Sequence, residues 1–192
     1  ASVSLGGHYS AAVKKDGSLW IWGRNSEFQL GYSSGDEKNY YPKKLMDDVA
    51  SVALATNFSA AIKNNGELWT WGWNWKGVVG NEDTGSPHGF APAKLMDDVV
   101  SVSLGYLHAA AIKRDGSLWT WGENSHGELG DGTTNDSGNY EPKMIMNNVA
   151  AVSLGTGYSA AIDCDGALWM WGDNSKGQFG NGTTDSSTVP VK

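Results

Sequence analysis

The groups that could do acid–base, nucleophilic or metal chemistry in this chain are four histidines, one cysteine and 21 carboxylates. Their spacing does not bring them together. His8 and His108 sit in or beside a G-x-x-H position of two similar stretches, and neither has a second His or a carboxylate at metal-ligand spacing. Cys164 stands alone, which excludes an internal disulfide and a CxxC knuckle. The Gly-Thr-Thr turns at Gly132 and Gly182, with Asp131, Asp136 and Asp185, have the composition of a calcium loop but not EF-hand spacing. Ordinary turn chemistry accounts for them. No G-x-S-x-G elbow, HExxH pair or phosphate loop is present, and Gly155-Thr156-Gly157 is a turn. Asn57, Asn135 and Asn181 stand in N-x-S/T triplets, which are read as chance. The chain is therefore expected to hold no catalytic, cofactor or metal site and not to be an enzyme.

The residues with recurrent spacing are aromatic. Ten tryptophans are present, eight of them paired as Trp20/Trp22, Trp69/Trp71, Trp119/Trp121 and Trp169/Trp171. Four segments align on these pairs with a period of 49 or 50 residues, starting at Ser2, Ser51, Ser101 and Ala151. Each reads as four short strands. The first is a VSL-like run and the second an SAAIK-like run. A two-residue turn follows at Asp16-Gly17, Asn65-Gly66, Asp115-Gly116 or Asp165-Gly166. The third strand is LWxWG. The fourth is expected to start near Pro42, Pro92, Pro142 and Pro190. In three copies it runs on through LMDDV, LMDDV or IMNNV into the next repeat.

In LWIW, Leu19 and Ile21 point one way and Trp20 and Trp22 the other, so the strand is apolar on both faces. Small antiparallel sheets gain cover on both faces by stacking around an axis, which is a β-propeller. No copy carries a ten-residue stretch of 3.6-residue period, which excludes a helical solenoid. The expectation is an all-β single propeller domain over 1–192, with repeats of about 1–49, 50–99, 100–149 and 150–192. All eight paired tryptophans are assigned to its core. Burying one is worth ~4–6 kcal/mol as an upper area estimate, and Trp119→Ala is expected to cost ~3–5 kcal/mol.

Composition narrows the partners. The net charge is −7 and the basic residues are scattered, which argues against nucleic acid and anionic membranes. No apolar run approaches the ~18 residues a membrane span needs.

The run G-x-x-H/Y-S-A-A-I-K-x-D-G-x-L-W-x-W-G-x-N resembles the regulator-of-chromosome-condensation (RCC1-type) repeat. So does the G-E-L-G-D-G-T-T tail from Gly127 to Thr134. The resemblance covers essentially the whole chain and is strongest to bacterial members, which implies a secreted or cell-surface setting. It implies a seven-bladed propeller that binds other proteins, and a structural role for the His of G-x-x-H. Only four copies are present. They are read as an arc of a longer propeller in preference to closure as a four-bladed ring or through a second copy.

Copy two breaks the internal pattern. Trp73 stands where the others have Arg24, Glu123 and Asp173. Trp75 stands where they have Ser26, Ser125 and Ser175, and Val78-Val79 replace Gln29-Leu30, Glu128-Leu129 and Gln178-Phe179. Aromatics at positions that tolerate polar residues suit interface anchors. With Tyr40, Tyr41, Phe90 and Tyr140 from the long loops they make a candidate partner-binding patch. Asp36, Glu37, Glu82, Asp83 and Asp136 would form its acidic rim. The leading expectation is a non-catalytic protein-binding module without cofactor, with self-association to complete a propeller left open. The alternatives are a structural or adhesion repeat of a larger bacterial surface or secreted protein, and an inhibitor of a secreted hydrolase.

Overall fold

A computed structural model describes residues 1–33, 37–81 and 88–192, with only the backbone of 88–90. The described chain is all-β, apart from a one-turn 3-10 segment at Trp75–Gly77. It forms four sheets of four antiparallel strands, each a simple meander. Blade 1 holds β1 (Ser2–Leu5), β2 (Tyr9–Val13), β3 (Leu19–Arg24) and β4 (Lys38–Met46). Blade 2 holds β5 (Val49–Leu54), β6 (Phe58–Lys63), β7 (Leu68–Trp73) and β8 (His88–Met96). Blade 3 holds β9 (Val99–Leu104), β10 (His108–Lys113), β11 (Leu118–Asn124) and β12 (Asn135–Met146). Blade 4 holds β13 (Val149–Leu154), β14 (Tyr158–Asp163), β15 (Leu168–Gly172) and β16 (Ser187–Val191). The chain divides into two compact units, residues 1–75 with 83–99 and residues 76–82 with 100–192.

The Asp-Gly hairpins differ from the expected two-residue turn. Lys14 N–H donates to Ser18 O, and Gly17 N–H to Lys14 O. This is a three-residue loop, a type I turn closed by a left-handed glycine. A two-residue I′ turn needs positive φ at both central residues, and only Gly17 has it (φ 80°). The Asp16 carboxylate holds the loop by accepting the Ser18 N–H and hydroxyl. The loop recurs at Lys63–Glu67, Lys113–Ser117 and Asp163–Ala167.

The fourth strands begin ahead of the prolines, at Lys38, His88, Asn135 and Ser187. The prolines sit inside them because these are edge strands, where a missing N–H can face away from the ladder. Nor do the strands run through LMDDV. They stop at Met46, Met96 and Met146, and two residues turn the chain into the next blade. The second of those residues is left-handed: Asp48 (φ 62°), Asp98 (φ 63°) and Asn148 (φ 61°). Asp and Asn are the non-glycine residues that best tolerate this conformation.

Packing repeats between blades. In the first unit, Tyr9, Ala11, Val13, Leu19 and Ile21 of blade 1 bury against Val49, Ala61 and Trp71 of blade 2. In the second, Ala110, Ile112 and Leu118 of blade 3 bury against Val149, Ala161 and Trp171 of blade 4. The small Ala of the second strand lets the neighbouring blade's Trp lie close.

The paired tryptophans split into two roles. Trp71, Trp121 and Trp171 are fully buried. Each indole N–H donates over 2.9 Å to a backbone carbonyl: Gln29, Val78 and Glu128 respectively. Gly130 (φ 77°) follows Leu129 where the Trp171 ring approaches, and a Cβ there would lie 2.8 Å from the indole nitrogen. The first tryptophans, Trp20, Trp69, Trp119 and Trp169, are only half-buried, as is Trp22. Their N–H groups reach side chains beside their own hairpins: Ser18, Glu67, Ser117 and Asp163. Lys14, Lys63 and Lys113 lie over the rings of Trp20, Trp69 and Trp119. Of the eight tryptophans assigned to the core, Trp71, Trp121 and Trp171 are buried within it, while Trp20, Trp22, Trp69, Trp119 and Trp169 are partly exposed.

Candidate protein-interaction site

In blades 1, 3 and 4 a corner asparagine at or just after the third strand staples the following loop with its side chain. Asn25 Oδ1 accepts the Leu30 N–H and its Nδ2 donates to Tyr32 O. Asn124 does the same with the Leu129 N–H and Thr133 O, and Asn174 with the Phe179 N–H and Thr183 O. These buried amides fix the loop that carries the residues flanking them.

In blade 2 the flanking residues are Trp73 and Trp75, on either side of the buried Asn74. Trp73 ends β7 and its N–H donates to Asn57 O. Trp75 opens the 3-10 turn, where Lys76 takes a left-handed φ of 61°. The two indoles stack with centroids 5.3 Å apart and planes 19° apart. Trp73 is half-buried and supports Trp75, which is 46% exposed. A stacked aromatic pair has little rotamer freedom left to lose.

The other patch residues are distributed. Tyr40 and Tyr41 on the edge strand β4 are 78% and 79% exposed. Tyr40 lines a surface cavity of about 380 Å³ with His8, Arg24, Lys38 and Asn39. Tyr140, on β12 of the second unit, is half-buried, and its backbone abuts Gly77. The Phe90 side chain lies outside the described residues, as do Asp36, Glu82 and Asp83 of the acidic rim. The structure thus joins Trp73 to Trp75 and sets Tyr40 beside Tyr41. Val78 and Val79 are not surface residues. They are fully buried, like Gln29 and Glu128 at the equivalent of Val78, because that loop position faces the interior in every described copy but the last.

Two buried titratable groups stand outside the patch, the His108 of the G-x-x-H position and Glu128. His108 is buried, with Nε2 3.0 Å from Ser159 Oγ, and burial holds its imidazole down to about 4. Tyr9 occupies the same repeat position and its hydroxyl meets Ser59. Glu128 is buried with Oε2 accepting the His126 N–H, and its Oε1 has no hydrogen-bond partner. Burial pushes this carboxyl above its ordinary range, and the nearby Glu123 charge adds to the shift. Both groups lie in inter-blade packing, not in a cleft. The suspected calcium turn is self-satisfied: Asp131 accepts from the Thr133 N–H and hydroxyl and from Lys143 Nζ. Among the described residues no cluster of three His, Cys, Asp or Glu could hold a metal. No helix there is long and apolar enough to cross a membrane.

Comparison with known proteins locates this architecture. A profile described as "Regulator of chromosome condensation (RCC1) repeat" matches residues 16–62, 65–112, 115–162 and 165–192. A second profile of that description matches 1–29, 99–128 and 149–178. The longer matches start at the hairpins, so each sequence repeat takes the last two strands of one blade and the first two of the next. The RCC1 domain-containing protein RUG3, mitochondrial, of Arabidopsis thaliana is 55% identical over 31 residues. Those are 16% of this chain and 7% of that protein. Among solved structures, a chain in the crystal structure of Kap60 bound to yeast RCC1 (Prp20) superposes with a TM-score of 0.87 at 22% identity. The match covers 99% of this chain and 47% of that one. Human WBSCR16 gives 0.84 at 22%, covering 100% and 52%. Prp20p of Saccharomyces cerevisiae, in a study of its binding to Gsp1p and histones, gives 0.85 at 20%, covering 99% and 49%. At these identities the likeness shows the fold alone. The chain spans about half the length of these solved relatives.

Proposed function

Starting from the fact that the chain belongs to the regulator of chromosome condensation (RCC1) repeat family, we propose that it is a non-catalytic protein-binding module. Its partner would dock on the Trp73–Trp75 platform of blade 2. The observation that carries this reading is the stacked pair itself, held at a corner whose counterparts in the other copies are Arg24/Ser26, Glu123/Ser125 and Asp173/Ser175. A family scaffold that serves different partners varies at such corners and keeps its inter-blade tryptophans. Yeast Prp20 is described with protein partners, which supports the class of function and not the identity of a partner here. The net charge of −7 favours a partner with a basic surface.

The test is affinity capture from the source organism's lysate and medium on the immobilised chain and on a folded Trp73→Ala/Trp75→Ala variant. A protein held by the parent and lost by the variant supports the platform. Equal capture by both, or none by either, moves the weight to a structural repeat segment. The near-identity of copies one and three outside their loops suits that second reading.

A further inference from the structure

Copy 4 shows how the loop after a third strand satisfies its own polar side chains. Gln178 Oε1 accepts the Lys176 N–H, and its Nε2 donates to Asp173 Oδ2 over 3.0 Å. Copy 3 builds the same loop with Glu128 in the place of Gln178 and Glu123 in the place of Asp173. Glu128 Oε2 accepts the His126 N–H over 2.7 Å, as Gln178 Oε1 accepts that of Lys176. Its Oε1 is the counterpart of the Gln178 amide nitrogen, and the Glu123 charge acts on it. A donor facing an acceptor has become two facing carboxyl groups.

The result is an orphan. Glu128 is 1% exposed, and its Oε1 has no hydrogen-bond partner. Among the described residues the half-buried Glu123 carboxylate has no hydrogen bond or ion pair, and no lysine or arginine is paired with Glu128. Lys76, in the preceding loop, is turned to the Asp136 carbonyl. His126 Nδ1 lies 4.0 Å from Oε1 and 3.0 Å from Ser125 Oγ. The His126 ring reaches toward blade 4, where a Cβ on Gly157 would lie 3.6 Å from Nδ1 and 4.0 Å from the Asp173 Cβ. Glu123, Glu128 and Asp173 therefore gather at one corner, with the exposed His126 among them.

An open aromatic ring stands next to this corner. The Glu123 N–H donates to Leu107 O, and the neighbouring Tyr106 N–H donates to Gly155 O of blade 4. The other copies hold Gly7, Thr56 and Thr156 at the position of Tyr106. Tyr106 is 51% exposed.

We infer that this corner of blades 3 and 4 docks an arginine of a protein partner, its guanidinium taken by Glu123 and its stem laid against the Tyr106 ring. The planar guanidinium pairs with a carboxylate through two parallel bonds and stacks on aromatic faces, and a lysine ammonium has neither geometry. Glu128 and Asp173 add their charge to the field that the cation meets. An arriving cation also offsets the cost of ionising Glu128 in its buried position. The inference rests on the protein-binding reading of the chain and not on the Trp73–Trp75 pair.

The experiment titrates acetyl-Gly-Arg-Gly-Arg-Gly-amide into the isotope-labelled chain and follows its amide NMR spectrum. A second peptide carries citrulline for arginine, which keeps the shape and removes the charge. The expected result is saturable shifts at Leu107, Glu123, His126 and Gly157 with the arginine peptide and none with citrulline, weakening as salt is added. Glu123→Gln weakens binding by about tenfold or more. Glu128→Gln restores the arrangement of copy 4, in which the amide occupies the neighbouring carboxylate, and weakens binding while keeping the fold. Tyr106→Ala weakens it by a smaller factor. No saturable shift up to millimolar peptide at neutral pH overturns the inference, and is the outcome if Glu128 holds a proton and donates it to Glu123. Equal shifts with citrulline, shifts centred on Trp73 and Trp75, or indifference to both Glu123→Gln and Glu128→Gln overturn it as well. Capture on the Trp73–Trp75 pair and this titration read different residues, so either reading fails without the other.

Discussion

Trp171 Nε1 lies 2.9 Å from the backbone carbonyl of Glu128, and the same distance separates Trp121 from the Val78 carbonyl. The acceptor is main chain, so the bond survives whether the repeat places Gln, Val or Glu there. The indole therefore locks inter-blade packing and leaves the accepting residue's side chain free to vary. The first tryptophan of each pair does neither, since its N–H is used beside its own hairpin.

This separates the two positions energetically. Trp121→Ala is expected to lose ~3–5 kcal/mol and Trp121→Phe ~1–3 kcal/mol, the latter from depriving a buried carbonyl of its donor. Trp119→Ala loses less than Trp121→Ala because its ring is half-exposed. Denaturant unfolding of the three variants gives the ranking, and equal losses at 119 and 121 would contradict it.

Glu128 is a carboxyl in a place where two other copies hold Gln29 and Gln178. Its pKa is raised in the folded chain, so the folded state binds its proton more tightly than the unfolded one. Stability tied to this group is highest at acid pH, where it is neutral in both states. It falls as pH rises through the ordinary value and on through the raised one. Glu128→Gln removes the penalty, and its amide can donate toward Glu123 as Gln178 Nε2 does to Asp173. The variant should match the parent near pH 4 and melt higher at pH 7 to 8.

His108 acts in the opposite direction. Its folded value of about 4 lies below the ordinary 6.5, so the unfolded state takes the proton first. Stability is full above about pH 6.5 and declines as pH falls to about 4, by ~3 kcal/mol in all. His108→Tyr installs the residue of Tyr9 and Tyr158 at this position and should flatten that acid limb in melts from pH 7 to pH 4. A limb unchanged by the substitution would show that other groups carry it.

The inter-blade turns carry a backbone prediction. Asp98 sits at φ 63°. Asp98→Gly should be neutral to slightly stabilising, and Asp98→Val should cost ~1–2 kcal/mol, because a β-branched residue is strained in the left-handed region. Thermal unfolding of the pair separates this from a loss of side-chain bonds, which both substitutions share.

The sequence by itself determined the repeat, its strand count and the all-β class. Paired tryptophans at a 49- or 50-residue period, alternating apolar strands and Asp-Gly hairpins are local signals, and each depends on neighbours in the chain. It also singled out Trp73 and Trp75, because copies within one chain can be compared with each other. Tertiary structure decided the rest. The two tryptophans of a pair lie on one face and look alike in sequence, yet only the second is roofed by the preceding loop's carbonyl. The loop positions of Gln29, Val78 and Glu128 look polar or indifferent, yet they are buried, because the corner asparagine folds the loop inward. Burial is a property of what packs against a face, and the sequence of that face does not contain it.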